Sequence, residues 1–219
     1  MANKVRQIAI DGPGGAGKST IAQAVAKKLG FLFINTGGMY RCYGIALQNA
    51  DLTNIDEVKK ILNENKVMLT PDKLYLNNKD VTAECYTAPI AMLASKIGTI
   101  GAVREKCVKD QQIIAAGQSC VMEGRDTTTV VLPNATLKVF LTASLETRAK
   151  RRWLQNNKRE LLEDIKNDLV TRDYQDSHRA IAPLMKAPDA ITIDTDGKSF
   201  DENVQQVIRA FELKRVLDD

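Results

Sequence analysis

The chain has 219 residues, 44% apolar and only 5% aromatic, with four cysteines, one histidine and a formal net charge of +4. That length suits one medium α/β domain or a domain with a substantial insert, and the core must be mainly aliphatic. No run of about 18 apolar residues occurs, so a membrane span is not expected, and Cys42, Cys85, Cys107 and Cys120 lack the paired spacing of a zinc site or a redox dithiol.

The cysteines read as small apolar residues in a reducing compartment. The first residues, Met1-Ala2-Asn3-Lys4-Val5-Arg6, lack the apolar stretch of a signal peptide, so a cytoplasmic location is expected. Residues 5–10 form a short apolar run ending at Asp11, which reads as a buried strand. Glycines follow, and then residues 19–29 carry Ile21, Ala22, Val25, Ala26 and Leu29 on one helical face, with Gly30 as C-cap. Residues 31–34 form a second apolar run. Strand, loop, helix and strand in this order predict a parallel sheet with helices on both faces.

Residues 35–50 read as a loop and then a helix. Residues 51–86 are more polar: a helix near 58–63, then two short strands, 67–69 and 74–76, joined by a turn at Thr70-Pro71-Asp72. This stretch is expected to be an insert on the main fold. A helix over 102–116 leads to a strand at 120–122 and another at 137–141. Ser144 caps a charged helix to about 156, a further helix covers about 159–174, residues 190–193 are the last strand, and Ser199 caps the final helix. Between Arg148 and Arg179 there are nine Lys/Arg and six Asp/Glu, a surplus of +3. Such a stretch meets a polyanion or is a solvated helical face.

Gly12-Pro13-Gly14-Gly15-Ala16-Gly17-Lys18-Ser19 matches the whole phosphate-binding loop pattern, after a strand and before a helix. The glycines let backbone N–H groups point at phosphate oxygens, and the helix presents its positive end to the same anion. Lys18 is placed to reach the β and γ phosphates, the Ser19 hydroxyl is a candidate Mg²⁺ ligand, and Thr20 follows in the nucleotide-binding set. A GTPase would need a guanine-reading Asn-Lys-x-Asp; Asn78-Lys79-Asp80 has the wrong spacing. A nucleic-acid-binding ATPase finds support only in the +3 segment, which mixes signs and has few aromatics for stacking. An ATP-dependent small-molecule kinase remains.

Several blocks resemble bacterial cytidylate kinases: Asn35-Thr36-Gly37-Gly38-Met39-Tyr40-Arg41, Ala94-Ser95 with Val103-Arg104, and Gly124-Arg125-Asp126 with Thr129-Val130-Val131. Phe140-Leu141-Thr142-Ala143-Ser144 with Arg148-Ala149-Lys150-Arg151-Arg152 continues the series, as do Arg172-Asp173 through Asp176-Ser177-His178-Arg179 with Ala182-Pro183-Leu184, and the tail at Asp189-Ala190. The resemblance spans essentially the whole chain. It implies a single α/β domain: a P-loop doubly wound parallel sheet core (about 1–35, 87–147 and 180–219), a monophosphate-binding region with insert (about 36–86) and a helical lid (about 148–179). It implies phosphoryl transfer from ATP to CMP or dCMP with Mg²⁺ in pyrimidine metabolism, by a monomer; binding to nucleic acid or to a membrane is not expected from the composition.

Residue by residue, the resemblance implies that Thr36, Tyr40 and Arg41 hold the acceptor phosphate and that Ser95, Arg104 and Asp126 read cytosine. Arg125 stands beside the phosphate path, and Arg172, Asp176 and Arg179 come from the lid. Lys18, Arg125, Arg172 and Arg179 are the candidate catalytic cations. Cytosine offers an amino donor that a carboxylate such as Asp126 accepts; uracil would present a carbonyl there. On a helix, Arg172, Asp176 and Arg179 would share one face. Arg148 and Arg152, four apart, are candidates to flank the adenine and phosphates of ATP. Glu123, where the family usually has Asp, is a candidate to orient water around Mg²⁺. His178 reads as a solvent-facing lid residue and Trp153 as a packing residue. Thr127 and Thr128 replace an aliphatic residue and a glycine, and Thr128 would be strained if its φ were positive. The lid and insert are expected to close over bound nucleotides and exclude water.

Overall fold

A computed structural model describes residues 4–218. The leader reading falls partly on residues 1–3, which lie outside the described residues. The chain forms two compact units: one runs up to Leu32 and resumes at Gln118, and the other is Phe33–Gly117.

The central sheet is five-stranded and parallel, with strands β1 (Gln7–Asp11), β2 (Leu32–Asn35), β6 (Cys120–Gly124), β7 (Leu137–Thr142) and β8 (Ile191–Asp194) in the order β2-β6-β1-β7-β8. Near-continuous apolar runs suit strands covered on both faces. Ile8, Ile10, Val121, Met122, Leu137, Val139 and Leu141 are all buried. The register sets Ile10 beside Glu123 and Asp11 beside Gly124 on one flank of β1, and Asp11 beside Phe140 on the other. The first crossover carries the chain toward β2 and a later one carries it to β7, so the order reverses at β1. The loop leaving β1 therefore opens at the switch point where α/β sheets bind ligands.

Helix α1 (Lys18–Leu29) turns Ile21, Ala22, Val25 and Ala26 inward, and Gly30 ends it in a left-handed cap whose N–H donates to the Ala26 carbonyl. The last helix, α9 (Phe200–Asp218), starts with a capping box: the Ser199 hydroxyl accepts from Glu202 N–H, and the Glu202 carboxylate accepts from Ser199 N–H. Phe211 of α9 meets Phe31 edge-on. Helices α7 (Leu145–Gln155) and α8 (Leu162–His178) close a small apolar cluster of Ala149, Ile165 and Leu169, with Leu145 and Trp153 against it. α7 is capped by the Ser144 hydroxyl, which accepts from Thr147 N–H. α8 begins about three residues and ends about four residues later than the sequence predicts.

The second unit holds α2 (Thr36–Leu47), α3 (Ile55–Glu64), α4 (Thr82–Cys85), α5 (Ala88–Ile97) and α6 (Gly101–Gly117). It also holds an antiparallel sheet of β3 (Val67–Leu69), β4 (Leu74–Leu76) and β5 (Lys79–Asp80). Met39, Tyr43, Leu47, Val58, Leu62, Ile97, Val103 and Cys107 form its core. α2 starts at Thr36 without the loop expected there, because the Asn35 side chain accepts from Gly38 N–H and caps the helix directly.

Candidate active site

The site in the first unit is built from the carboxyl ends of β1 and β6. After Asp11 the chain turns through Gly12 at φ +150°, where a Cβ would lie 2.0 Å from the Leu141 carbonyl oxygen; only glycine passes there. Gly17 caps α1 in the left-handed region and no acidic residue follows in the first turn, so the helix end keeps its positive character for an anion. Lys18 is 6% exposed, and its ammonium donates to the Pro13 carbonyl at 2.8 Å. Burial, followed by the Arg125 charge, lowers the Lys18 ammonium from its usual range to about 7, with Glu123 and Asp11 opposing and Arg172 assisting. The Ser19 hydroxyl donates to Glu123 Oε1 at 2.8 Å. An exposed hydroxyl beside a carboxylate on the phosphate loop is an oxygen-donor set that suits Mg²⁺ bound chiefly through substrate phosphates. Thr20 is exposed and donates to the Gly17 carbonyl.

Asp11 is completely buried and lies beneath this loop. Its carboxylate accepts from Thr127 N–H at 2.9 Å, Thr128 N–H at 2.7 Å and the Thr128 hydroxyl at 2.6 Å. Burial raises its pKa, and these hydrogen bonds pull it back. The residues 127–131 coil into a π-helical turn, and Thr128 is not among the non-glycine residues with positive φ. The strain considered for Thr128 is absent. Its hydroxyl gives the buried carboxylate a donor that glycine cannot supply.

The Gly124-Arg125-Asp126 turn meets the end of α8 through two crossed ion pairs. Arg125 Nε donates to Asp176 Oδ2 at 2.7 Å, and Arg179 Nη2 lies 3.3 Å from Asp126 Oδ1. The shared helical face expected for Arg172, Asp176 and Arg179 does not form, because α8 ends at His178 and Arg179 leaves it in an extended conformation. Its Nε donates to the Ala182 carbonyl at 2.6 Å. Arg172 is exposed on α8, near enough to Lys18 to affect its charge. Arg148 and Arg152 also part company: Arg152 is exposed, whereas Arg148 is 8% exposed, donating to the Gly14 carbonyl at 3.0 Å and the Ala143 carbonyl at 3.1 Å.

In the second unit, α2 carries Thr36 (buried) with Tyr40 and Arg41 (half-buried), and the Arg41 guanidinium lies 5.3 Å from the Tyr86 ring centroid. Ser95 is exposed on α5, while Arg104 on α6 is buried and donates to the Gly98 carbonyl at 3.3 Å. His178 stacks on Tyr174 with ring centroids 4.0 Å apart, and the Trp153 indole donates to the Glu160 carbonyl.

Sequence reasoning assigned no role to Asp11 or Asp173. Asp173 accepts from Gly14 N–H at 3.0 Å and pairs with Arg148. Asp11 directly precedes the loop glycines and Asp173 sits within the quoted lid block, but Gly14 lies 159 residues from Asp173 and Thr127 lies 116 residues from Asp11 in sequence.

A parallel sheet with a phosphate loop at its switch point, a buried lysine and a helix of arginines beside it defines a P-loop phosphotransferase. Residues 8–213 match the cytidylate kinase family. A cytidylate kinase from Alkaliphilus oremlandii is 43% identical over 207 residues, which is 92% of this chain and 95% of that protein. One from Halalkalibacterium halodurans is 43% identical over 214 residues, covering 94% and 96%. A solved structure of an uncharacterized protein from Eubacterium ventriosum is similar with a TM-score of 0.55 at 15% identity, over 95% of this chain and 99% of that one, a likeness of fold alone. The chain belongs to the cytidylate kinase family, kinases that transfer a phosphoryl group from ATP. No helix among the described residues is long and apolar enough to cross a membrane.

Proposed function

We propose that this chain transfers the γ-phosphoryl group of ATP to CMP and dCMP, with Mg²⁺ carried on the donor phosphates. The observation that carries the reading is the grouping of Lys18, Ser19 and Glu123 at the ends of β1 and β6, in a chain whose residues 8–213 match the family. Phosphoryl transfer asks for positioning and charge neutralisation more than for a base. Gly12 to Thr20 take the donor phosphates, with Arg148 and Arg152 beside them. The Ser19 hydroxyl would hold Mg²⁺, with Glu123 orienting its water, and the ion would supply charge neutralisation at the phosphates. Lys18, Arg125, Arg172 and Arg179 hold the transferring group, Arg being suited by its planar fork.

Thr36, Tyr40 and Arg41 take the acceptor phosphate, and Ser95, Arg104 and Asp126 read cytosine. Asp176 and Arg172 face the acceptor sugar. Residues 36–86 serve as the monophosphate-binding region, residues 148–179 as the lid and the remainder as the core. The protein acts as a cytoplasmic monomer on small molecules and not on nucleic acid; its four buried cysteines, none of them in a disulfide, suit a reducing compartment.

The test is ADP release with CMP, dCMP, UMP and AMP at equal concentration. CMP and dCMP are expected to lead, with UMP lower by about ten- to a hundredfold, because uracil leaves a buried acceptor unpaired. Faster turnover of AMP or UMP would overturn the substrate assignment.

A further inference from the structure

The phosphate loop is already in contact with a carboxylate. Gly14 N–H, one of the backbone donors that a P-loop aims at phosphate oxygen, donates to Asp173 Oδ1 at 3.0 Å. The other oxygen of that carboxylate pairs with Arg148, whose guanidinium also reaches the Gly14 carbonyl. Helix α8 comes close enough that a Cβ on Gly14 would lie 3.2 Å from Leu169 Cδ2. Lys18, the cation of the loop itself, is likewise turned to a protein acceptor, the Pro13 carbonyl. A carboxylate bridging a backbone N–H and a guanidinium has the charge sign and oxygen spacing of a phosphate edge on the same two donors.

We propose that Asp173 occupies the place of a donor phosphate oxygen on Gly14 and Arg148, so that the Asp173 contact and bound ATP exclude each other. The inference rests on the P-loop reading but not on the identity of the acceptor. Binding exchanges one anion for another: as the triphosphate arrives, Asp173 leaves, and Arg148 passes from the carboxylate to phosphate without standing unpaired in a buried position. The exchange sets donor affinity, since a site open only a fraction of the time binds more weakly by that fraction. It also couples α8, which carries Arg172 and Asp176, to arrival of the donor. Asp173 is thus a positioning residue that acts through the loop and the lid.

The experiment is calorimetric titration of the full chain with ATP and with tripolyphosphate, a probe lacking base and sugar, for the wild type, Asp173→Asn, Asp173→Ala and Asp173→Glu. Asn and Ala are expected to tighten both ligands by roughly tenfold, while Glu stays near wild type. KM for ATP should fall with KM for CMP unchanged. Unchanged or weaker tripolyphosphate binding in Asn and Ala variants that melt cooperatively would sink the proposal, since a contact serving only to brace the lid would lower the melting temperature and leave the affinity alone. Hydrogen exchange on the wild type gives a reading that needs no variant: tripolyphosphate should speed exchange in residues 162–171, and exchange that is slower or unmoved counts against the idea. Loss of CMP turnover with tightened tripolyphosphate binding would speak against the proposed substrate and leave this inference standing.

Discussion

The two units hold their candidate functional residues in opposite ways. In the first, charge is paired with charge: Arg125 with Asp176, Arg179 with Asp126, Arg148 with Asp173. In the second, Tyr40 and Arg41 sit half-buried on a helix whose inner face, Met39, Tyr43 and Leu47, is part of the apolar core, and Ser95 is exposed. An anionic ligand reaching the first unit replaces existing partners, so part of its binding free energy goes to breaking ion pairs. A ligand reaching the second meets side chains held in place by an apolar core. Stability and function are therefore entangled at the phosphate loop and largely separable on α2.

The sharpest way to break this comparison is at Lys18. Lys18→Met keeps the length of the side chain and removes the cation. Losing one preorganised charge from a phosphoryl-transfer site is expected to lower kcat by about 10²–10³-fold, with the melting temperature held or raised, since a buried and desolvated ammonium is lost. If steady-state kinetics showed a drop of only a few fold, the loop would not be the chemical centre.

A second consequence concerns pH. The folded-state pKa of Lys18, about 7, lies below the roughly 10.4 of an unfolded lysine. Between those values the unfolded chain binds the proton and the folded chain does not, so stability rises with pH from about 7 toward 10. Urea titrations of the wild type at pH 6.5, 7.5 and 8.5 should show that rise, and Lys18→Met should flatten it. The same shift requires proton uptake when ATP binds above pH 7, read by calorimetry in buffers of different ionisation enthalpy. Parallel stability curves for the two proteins would remove the burial argument.

At the next level of effect, Asp126→Asn should reduce discrimination between CMP and UMP by roughly ten- to a hundredfold, since an amide can present either a donor or an acceptor. Its ion pair with Arg179 is lost as well. The ratio of kcat/KM values for the two substrates isolates the first effect, because the second burdens both substrates alike. A ratio unchanged from wild type would move base reading elsewhere.

What could be read from the sequence was whatever is local. The β1–loop–α1 segment was legible because glycine spacing and apolar periodicity are set within twenty residues, and β3 and β4 because Thr70-Pro71-Asp72 marks their turn. The start of α2 was obscured by Gly37 and Gly38, which are poor helix formers, while the Asn35 cap outweighs them. The single face expected for Arg172, Asp176 and Arg179 assumed an uninterrupted helix, whereas α8 ends at His178 and Arg179 is extended. Partners separated by more than a hundred residues left no pattern: nothing periodic links Gly14 to Asp173 or Asp11 to Thr128.

Thr128 makes the last and smallest test. Where relatives were expected to have glycine, its hydroxyl is the third donor to the buried Asp11 carboxylate, which still keeps two backbone N–H groups. Thr128→Val preserves shape and removes that donor. Because a hydrogen bond to a charged group is lost while two remain, the cost is expected near the low end of the range for such bonds, about 1.5 kcal/mol. That is a fall in melting temperature of roughly 3–6 °C for a chain of this size. Thr128→Ser should recover most of it, since the hydroxyl is the element that matters. Thr128→Gly should do no better than Val, because it removes the donor and frees the backbone in the unfolded chain as well. If Gly instead matched the wild type, the threonine would be a neutral substitution, and Asp11 would need only its two backbone donors to hold the turn that carries Arg125 and Asp126.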